Sequence, residues 1–157
     1  MDSTCSHGGD APISEARLRA SLLRAEEVAT KEGEKWTPNR ARVYELLLRA
    51  GGPVKAYDLM PAYSADKATK PPTVYRALEF LEGLGLAHRI PSLSAFMACN
   101  DGGPTHAASF LICTCCGSAE EITPDLAPII SRAGLRRGFE PHGATLEIRG
   151  LCQNCRD

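Results

Sequence analysis

The segment TVYRALEFLEGLGLAHRIP, residues 73–91, decides the fold predicted for the first half of the chain. Its first part places apolar residues at helical spacing on one buried face, at Val74, Ala77, Leu78 and Leu81. Polar side chains face outward at Thr73, Tyr75, Arg76 and Glu79. Beyond Gly85, the runs LAHRIP (86–91) and AFMAC (95–99) read as short strands joined by a Ser-Leu-Ser turn, which predicts a hairpin.

Three further helices are predicted before this segment. Residues 14–32 form an amphipathic helix that Ser14 can cap, and a second helix begins at Thr37-Pro38 and ends at Gly51-Gly52. A short third helix covers about residues 54–60 and ends at Pro61. Helices followed by a hairpin are typical of a winged-helix domain.

Exposed side chains on the first turn of the fourth helix are candidates for DNA contacts. In helix-turn-helix folds this turn enters the major groove, where an arginine such as Arg76 can bind guanine with two hydrogen bonds. Tyr75 lies beside it, and Thr73, Arg40 and Lys70 suit phosphate contacts. The alternative is that Arg76 is an ordinary solvated charge and Tyr75 a partly buried aromatic, and periodicity alone slightly favours it.

Two CxxC pairs in the second half predict a metal site. Each pair can direct two thiolates at one ion from a single turn, so Cys113, Cys116, Cys152 and Cys155 supply the four sulfur ligands of one structural zinc site. Two disulfides, or reduced core cysteines, are the alternatives. Disulfides are disfavoured because the first residues, MDSTCSHGGDAPIS, contain no apolar secretory segment and the chain has seven cysteines.

The elements around these pairs predict a small α/β unit. FLIC (110–113) and SAEEI (118–122) are predicted strands, residues 124–137 a helix, and ATLEIRG (144–150) a last strand that delivers the second pair. The predicted fold class is therefore α+β, with a winged-helix domain followed by a small zinc-binding α/β domain. A core of about 60 residues usually needs a metal and a subunit interface to be stable.

A second candidate metal site lies between the two halves of the sequence. His88, Cys99, His106 and Glu121 include the ligand types of a four-coordinate zinc site, although their spacing carries no signature. Each also has an ordinary explanation as a surface or core residue.

Charge and composition limit the possible functions. The 157-residue chain has a net charge of −1, but residues 36–91 hold eight Lys/Arg against five Asp/Glu, and residues 92–157 five against seven. Positive charge is thus concentrated in the predicted DNA-binding half. Because no apolar run is long enough to cross a membrane, we expect a soluble, cytoplasmic protein.

The strings TPNRARVYELL (37–47), KPPTVYRALEFLEGLGLAHRI (70–90), FLICTCCG (110–117) and LCQNC (151–155) resemble the ferric-uptake-regulator family, and within it the zinc-sensing branch. The resemblance runs from about Ser14 to Cys155. It implies a homodimeric, zinc-loaded repressor that binds palindromic operator DNA and represses zinc-uptake genes, with two zinc ions per chain.

The resemblance also assigns residues. It places the structural zinc on the four CxxC cysteines and the regulatory zinc on His88, Cys99, His106 and Glu121. Tyr57, in the third helix, and Arg76 are the base-contacting residues that it implies. The expected organisation is a disordered tail (1–13), a winged-helix domain (14–92), a hinge (93–97) and a zinc-binding dimerisation domain (98–157).

Zinc is favoured over iron or manganese for two reasons. Residues 102–110, GGPTHAASF, hold one histidine rather than the His-rich run of iron-sensing relatives, and the soft Cys99 thiolate suits zinc. Some residues depart from the pattern. Cys115 could compete with Cys116 as a ligand, Glu120 could replace Glu121, and Cys5, His7 and His142 have no clear role.

The sequence leaves two other function classes as alternatives. A redox sensor would use the CxxC thiols and release zinc on oxidation. A zinc enzyme needs an open coordination position, and the HxE and PCxxC strings of a deaminase are absent, so we expect no enzymatic activity.

Overall fold

The computed structural model describes residues 12–63, 71–99, 108–135, 137–140 and 144–156. These residues belong to two compact units, an N-terminal unit that includes residues 12–99 and a C-terminal unit that includes residues 108–156. Residues 1–11, most of the expected tail, lie outside the described residues. Across the described part of the chain, each helix is too short or too polar to span a membrane.

Four helices form most of the N-terminal unit: α1 (Glu15–Lys31), α2 (Pro38–Ala50), α3 (Ala56–Tyr63) and α4 (Pro71–Gly83). The predicted caps are confirmed, because Ser14 accepts a hydrogen bond from the Arg17 N–H and Thr37 from the Arg40 N–H. The predicted buried face of α4 is confirmed as well, since Val74, Leu78 and Leu81 have no exposed surface.

The end of α3 differs from the prediction. Pro61 lies inside this helix, which continues to Tyr63. Proline removes one hydrogen bond, but its fixed φ is itself helical, so one further half-turn can follow. The buried side chains of Ala56 and Leu59 pack this short helix into the core.

The hairpin follows α4 directly. Gly85, at φ +66°, ends the helix in a conformation that favours glycine, and the chain enters β1 (Ala87–Ile90). A 3-10 turn (Pro91–Leu93) leads to β2 (Ala95–Ala98), which pairs antiparallel with β1. Val54 also bridges to Phe96, adding a third short segment.

This hairpin includes the segment expected to be a hinge. Leu93 ends the 3-10 turn, and residues 95–97 pair with β1. The backbone groups of residues 95–97 are used by a ladder within the N-terminal unit, so this segment is structured rather than a linker. The division between the two units falls later in the chain, beyond residue 99.

The C-terminal unit is a three-stranded sheet with one helix. Its elements are β3 (Ala108–Cys113), β4 (Ala119–Ile122), α5 (Ala127–Leu135) and β5 (Thr145–Gly150). The strand order is β4-β3-β5, with β4 antiparallel and β5 parallel to β3. Two parallel neighbours need a crossover connection, and α5 lies within it. The predicted βαβ-type unit is therefore confirmed, with α5 shorter at both ends than residues 124–137.

Candidate metal centre and nucleic-acid interface

The two CxxC pairs meet because β3 and β5 are parallel neighbours. Cys113, the last residue of β3, is in register with Gly150, the last residue of β5. Both strands therefore end at the same edge of the sheet, and each runs directly into its own pair of cysteines. Thr114 links the ends of the two strands, because its N–H and its hydroxyl both donate hydrogen bonds to the Gly150 carbonyl, at 2.8 and 3.2 Å.

Four thiols converge at this edge in a geometry that fits zinc. The Sγ atoms of Cys113, Cys116, Cys152 and Cys155 all lie within 4.8 Å of one another. The Sγ atoms of Cys116 and Cys152 are 3.9 Å apart. A tetrahedral zinc with bonds of about 2.3 Å requires sulfurs about 3.8 Å apart, so the cluster can accept the ion with little rearrangement. Cys115 is not one of the four, which selects Cys116 over its neighbour on geometry.

Each CxxC pair lies on a tight turn, which we call a knuckle: residues 113–117 form the first and residues 152–155 the second. Backbone hydrogen bonds hold the thiols of the first knuckle in place. Gly117 donates its N–H to the Cys113 carbonyl at 3.0 Å, and at φ +73° it adopts the left-handed conformation that this tight turn requires. Cys113 then donates its own N–H to the Ser118 carbonyl at 2.9 Å. The Ser118 hydroxyl lies 3.1 Å from the Cys116 sulfur. Ser118 is a contact that the sequence analysis missed, and its only signal was a small polar residue following the pair.

Hydrogen bonds give the thiols different acidities. The backbone N–H groups of Cys116 and, next, of Cys152 lower the pKa of the Cys113 thiol to about 6. Ser118 lowers the pKa of Cys116, first through its side chain. A hydrogen bond with Cys152, together with burial, raises the pKa of Cys155 well above its usual value. Hydrogen-bond donors thus favour the thiolate form of Cys113 and Cys116, and metal binding at all four sulfurs would be accompanied by proton release.

His88 and Cys99 come together on the hairpin. His88 pairs with Met97 across the two strands, so Cys99, two residues further on, is its diagonal neighbour on the same face. The Cys99 N–H donates to the Leu86 carbonyl at 2.9 Å, which fixes the thiol just beyond the end of β2. The imidazole of His88 and the buried thiol of Cys99 present ligand atoms within 4.8 Å of each other. This pair fits two of the four expected ligands of a metal site.

The other two expected ligands belong to the C-terminal part of the chain. Glu121 lies in β4, half-buried, and pairs with the fully buried Phe110. Glu120 is exposed and pairs with Leu111 on the opposite face. Strand alternation therefore favours Glu121 over Glu120 as a ligand. His106 and His142 lie outside the described residues.

The candidate DNA contacts lie on α3 and α4. Tyr57 is 75% exposed and Tyr75 45% exposed, values that are high for large aromatic side chains. Arg76 is exposed and Thr73 half-buried, both near the start of α4. Lys70 lies outside the described residues. The side chains of Tyr57, Tyr75 and Arg76 are thus accessible, as contacts with base edges would require.

Arg40 has contacts that the sequence did not reveal. Its guanidinium stacks on the Phe80 ring, hydrogen-bonds to the Lys35 carbonyl and lies 3.8 Å from a Glu34 carboxylate oxygen. Phe80 packs in turn near Trp36, with ring centres 6.4 Å apart. Arg40 thus connects α2 to α4, in addition to the phosphate contact expected of it.

Known proteins resemble this chain over most of its length. The model of the ferric uptake regulator family matches residues 31–149. The zinc uptake regulation protein of Escherichia coli (strain K12) is 34% identical over 137 residues, which cover 85% of this chain and 80% of that protein.

Two solved structures show the same arrangement of elements. A zinc uptake regulator complexed with zinc and DNA matches with a TM-score of 0.81 and 32% identity, over 87% of this chain and 93% of that one. Holo XcZur matches with a TM-score of 0.75 and 39% identity, over 85% and 95%. With a family match over well more than half of its residues, and with relatives of this identity, the chain belongs to the ferric uptake regulator family.

Proposed function

We propose that this chain is a zinc-responsive transcriptional repressor that binds palindromic operator DNA as a zinc-loaded homodimer and represses zinc-uptake genes. The observation that carries the proposal is the His88–Cys99 pair. It places two zinc-type ligands within 4.8 Å of each other on the hairpin that directly follows the candidate recognition helix α4. A metal-binding event at this pair therefore occurs inside the DNA-binding unit itself.

The structural zinc is assigned to Cys113, Cys116, Cys152 and Cys155. When bound there, zinc supplies a cross-link between the ends of β3 and β5. The chain's own contribution is the register of these strands and the N–H donors that stabilise the Cys113 thiolate. In a unit this small, a link of that kind contributes directly to the stability of the fold.

The regulatory zinc is assigned to His88, Cys99, His106 and Glu121, which gives two zinc ions per chain. His88 lies in β1, Cys99 directly follows β2, Glu121 lies in β4, and His106 lies outside the described residues. Zinc held by ligands from such separate segments of the chain would restrict the orientation of the DNA-binding residues, and a free-energy coupling of about 1–3 kcal/mol between zinc and DNA would be enough for a switch.

DNA recognition is assigned to side chains of α2, α3 and α4 and to Lys70. Arg76 and Tyr57 contact bases, with Tyr75 beside them, and Thr73, Arg40 and Lys70 position the helix on phosphates. A homodimer with two-fold symmetry reads two half-sites, which is why the operator is expected to be palindromic. We propose that a regulator of this kind acts in the cytoplasm, where it would meet its operator, and that it has no enzymatic activity.

Binding to a palindromic, AT-rich DNA probe under buffered free metal tests the proposal. We expect affinity to rise as free zinc rises and to remain low with iron(II) or manganese(II) at the same buffered concentrations. A larger response to iron or manganese would assign the protein to another metal. A response to none of the three would remove metal sensing altogether.

A further inference from the structure

The helix that carries Tyr57 is short and contains a proline. α3 has eight residues, and a helix of that length is marginal unless neighbouring elements hold it. Pro61 has no N–H, so the helical hydrogen bond to the carbonyl four residues earlier, which is that of Tyr57, cannot form. The direction of the exposed Tyr57 side chain therefore depends on contacts between α3 and its neighbours in the N-terminal unit.

The first half of α3 is held by the hairpin and the core. Val54, two residues before the helix, exchanges two backbone hydrogen bonds with Phe96 of β2, at 2.9 and 2.8 Å. The buried side chains of Ala56 and Leu59 belong to the core of the same unit. These contacts fix the start of the helix, and its end needs contacts of its own.

Two side chains of α2 supply the contacts at the end of α3. Arg42 donates a hydrogen bond from Nη2 to the Ala62 carbonyl at 3.0 Å. This carbonyl lies in the last turn, where carbonyls lack a helical partner and where the helix dipole favours a positive charge. In the same turn, the Tyr63 hydroxyl donates to Oδ1 of Asn39 at 2.5 Å.

Arg42 is itself oriented by a series of ion pairs. Its Nη1 donates to Oε2 of Glu45 at 2.9 Å, and the other oxygen of Glu45 accepts from Arg49 at 2.8 Å. Arg49 also pairs with Glu15 of α1 at 2.9 Å. Because the Arg42 side chain is 43% exposed, its ion pair adds little to the stability of the whole unit. The consequence of the two contacts of Arg42 is a fixed position for the end of α3.

We propose that Arg42 is a positioning residue for operator recognition, which holds the end of α3 against α2 and thereby fixes the direction of Tyr57. This inference rests on the proposed function, because it requires Tyr57 to contact bases. Asn39 supports the same end of the helix through Tyr63. A direct contact between Arg42 and a phosphate would have different consequences for DNA binding, since a phosphate contact does not depend on Tyr57.

A double-mutant cycle with the zinc-loaded, full-length protein tests the proposal. We expect Arg42→Ala to weaken binding to operator DNA about fivefold more than binding to random DNA. In a Tyr57→Ala background this specific loss should disappear, because the side chain that Arg42 positions is gone. Arg42→Lys keeps the charge but lacks the planar fork, so it should share the loss. Arg19→Ala, which removes an exposed charge from α1, is the matched control and should leave the ratio of the two affinities unchanged.

Tyr63→Phe extends the test without a change of charge. It removes only the hydroxyl that contacts Asn39, so it should lower operator affinity while the salt dependence of binding stays that of the wild type. Equal losses on operator and random DNA in Arg42→Ala would overturn the proposal and indicate a phosphate contact. An operator-specific loss of the same size with and without Tyr57 would overturn it as well.

Amide hydrogen exchange without DNA separates this proposal from the function on which it rests. Arg42→Ala should speed exchange several-fold in α3 and leave the β1–β2 hairpin unchanged. Unchanged exchange in α3 would show that Arg42 does not hold the helix. If the wild type bound no operator at any zinc concentration, the proposed function would fail, and the exchange rates would still decide whether Arg42 holds α3.

Discussion

The guanidinium carbon of Arg40 lies 3.4 Å from the centre of the Phe80 ring, which joins α2 to the candidate recognition helix α4 by a cation–π contact. The arginine side chain is only 27% exposed, and its guanidinium also donates a hydrogen bond to the Lys35 carbonyl. The contact therefore links the two helices within the N-terminal unit. Arg40 is also a residue for which the sequence predicts a phosphate contact.

Arg40→Ala is expected to affect both stability and DNA binding. Loss of the stacked guanidinium should lower the free energy of unfolding by about 1–2 kcal/mol, measured by urea denaturation. Binding to operator and to random DNA should weaken about equally, as for a phosphate contact. Glu34→Gln, which removes only an exposed ion pair at 3.8 Å, is the control and should change stability little. Unchanged stability in Arg40→Ala would show that the stacking contact is unimportant.

Arg76→Ala should reduce specificity rather than stability, because this side chain is exposed. We expect operator affinity to fall by about 1–3 kcal/mol more than affinity for random DNA. Arg76→Lys keeps the charge but cannot form the two-pronged contact with guanine, so it should lose discrimination and retain affinity for random DNA. Titration of both probes with each variant measures the difference. Equal losses on both probes would exclude Arg76 from base reading.

Cys113→Ser and Cys152→Ser should lose the structural zinc and, with it, the fold of the C-terminal unit or the dimer. Each removes one of four sulfurs whose metal binding contributes to folding free energy. Cys115→Ser, under reducing conditions, is the matched control and should retain both zinc and dimer. Metal analysis and analytical ultracentrifugation measure the two properties. A stable dimer without metal would contradict the structural assignment, and a loss in Cys115→Ser would show that the wrong thiol was chosen.

His88→Ala and Cys99→Ser should fold, keep the structural zinc and lose the zinc-dependent gain in DNA affinity. The reason is that these residues lie on the hairpin, away from the knuckles in the sequence and in a different unit. Apparent affinity should then fall with the fraction of molecules in the binding-competent arrangement. DNA titration at low and high buffered zinc measures this effect. A full response in either variant would place the sensing site elsewhere, with Glu120 and His142 as the next candidates.

The buried side chain of Tyr44 is expected to lower the free energy of unfolding at alkaline pH. Burial, followed by the charge of Cys99, raises the pKa of this tyrosine to about 12, and its side chain is only 2% exposed. Because the folded pKa lies above the unfolded value of about 10, the stabilisation is complete below pH 10 and is lost as the pH rises toward 12. The free energy of unfolding, measured by urea denaturation, should fall by about 3 kcal/mol by pH 12. Tyr44→Phe should not show this loss of stability between pH 10 and 12. If its free energy of unfolding depended on pH as that of the wild type does, Tyr44 would not be the group responsible.

Local signals determined most of the elements. Ser14, Thr37 and Pro38 marked helix starts, and the period of Val74, Leu78 and Leu81 identified the buried face of α4, because caps and helical periodicity act over a few residues. The position of Pro61 shows the limit of such signals. Packing of Leu59 into the core keeps α3 helical past a residue that usually ends a helix.

The sequence by itself determined that the two cysteine-rich turns belong to one metal site, because CxxC spacing is a local constraint on one turn, but it left Cys115 as a competitor of Cys116. Only the tertiary structure decided that β3 and β5 are parallel neighbours ending at one edge, that Cys116 rather than Cys115 joins the cluster, and that Glu121 faces inward beside Phe110. It also decided that Arg40 stacks on Phe80. These features depend on contacts between residues far apart in the chain, and strand register and packing select them, whereas spacing within one segment cannot.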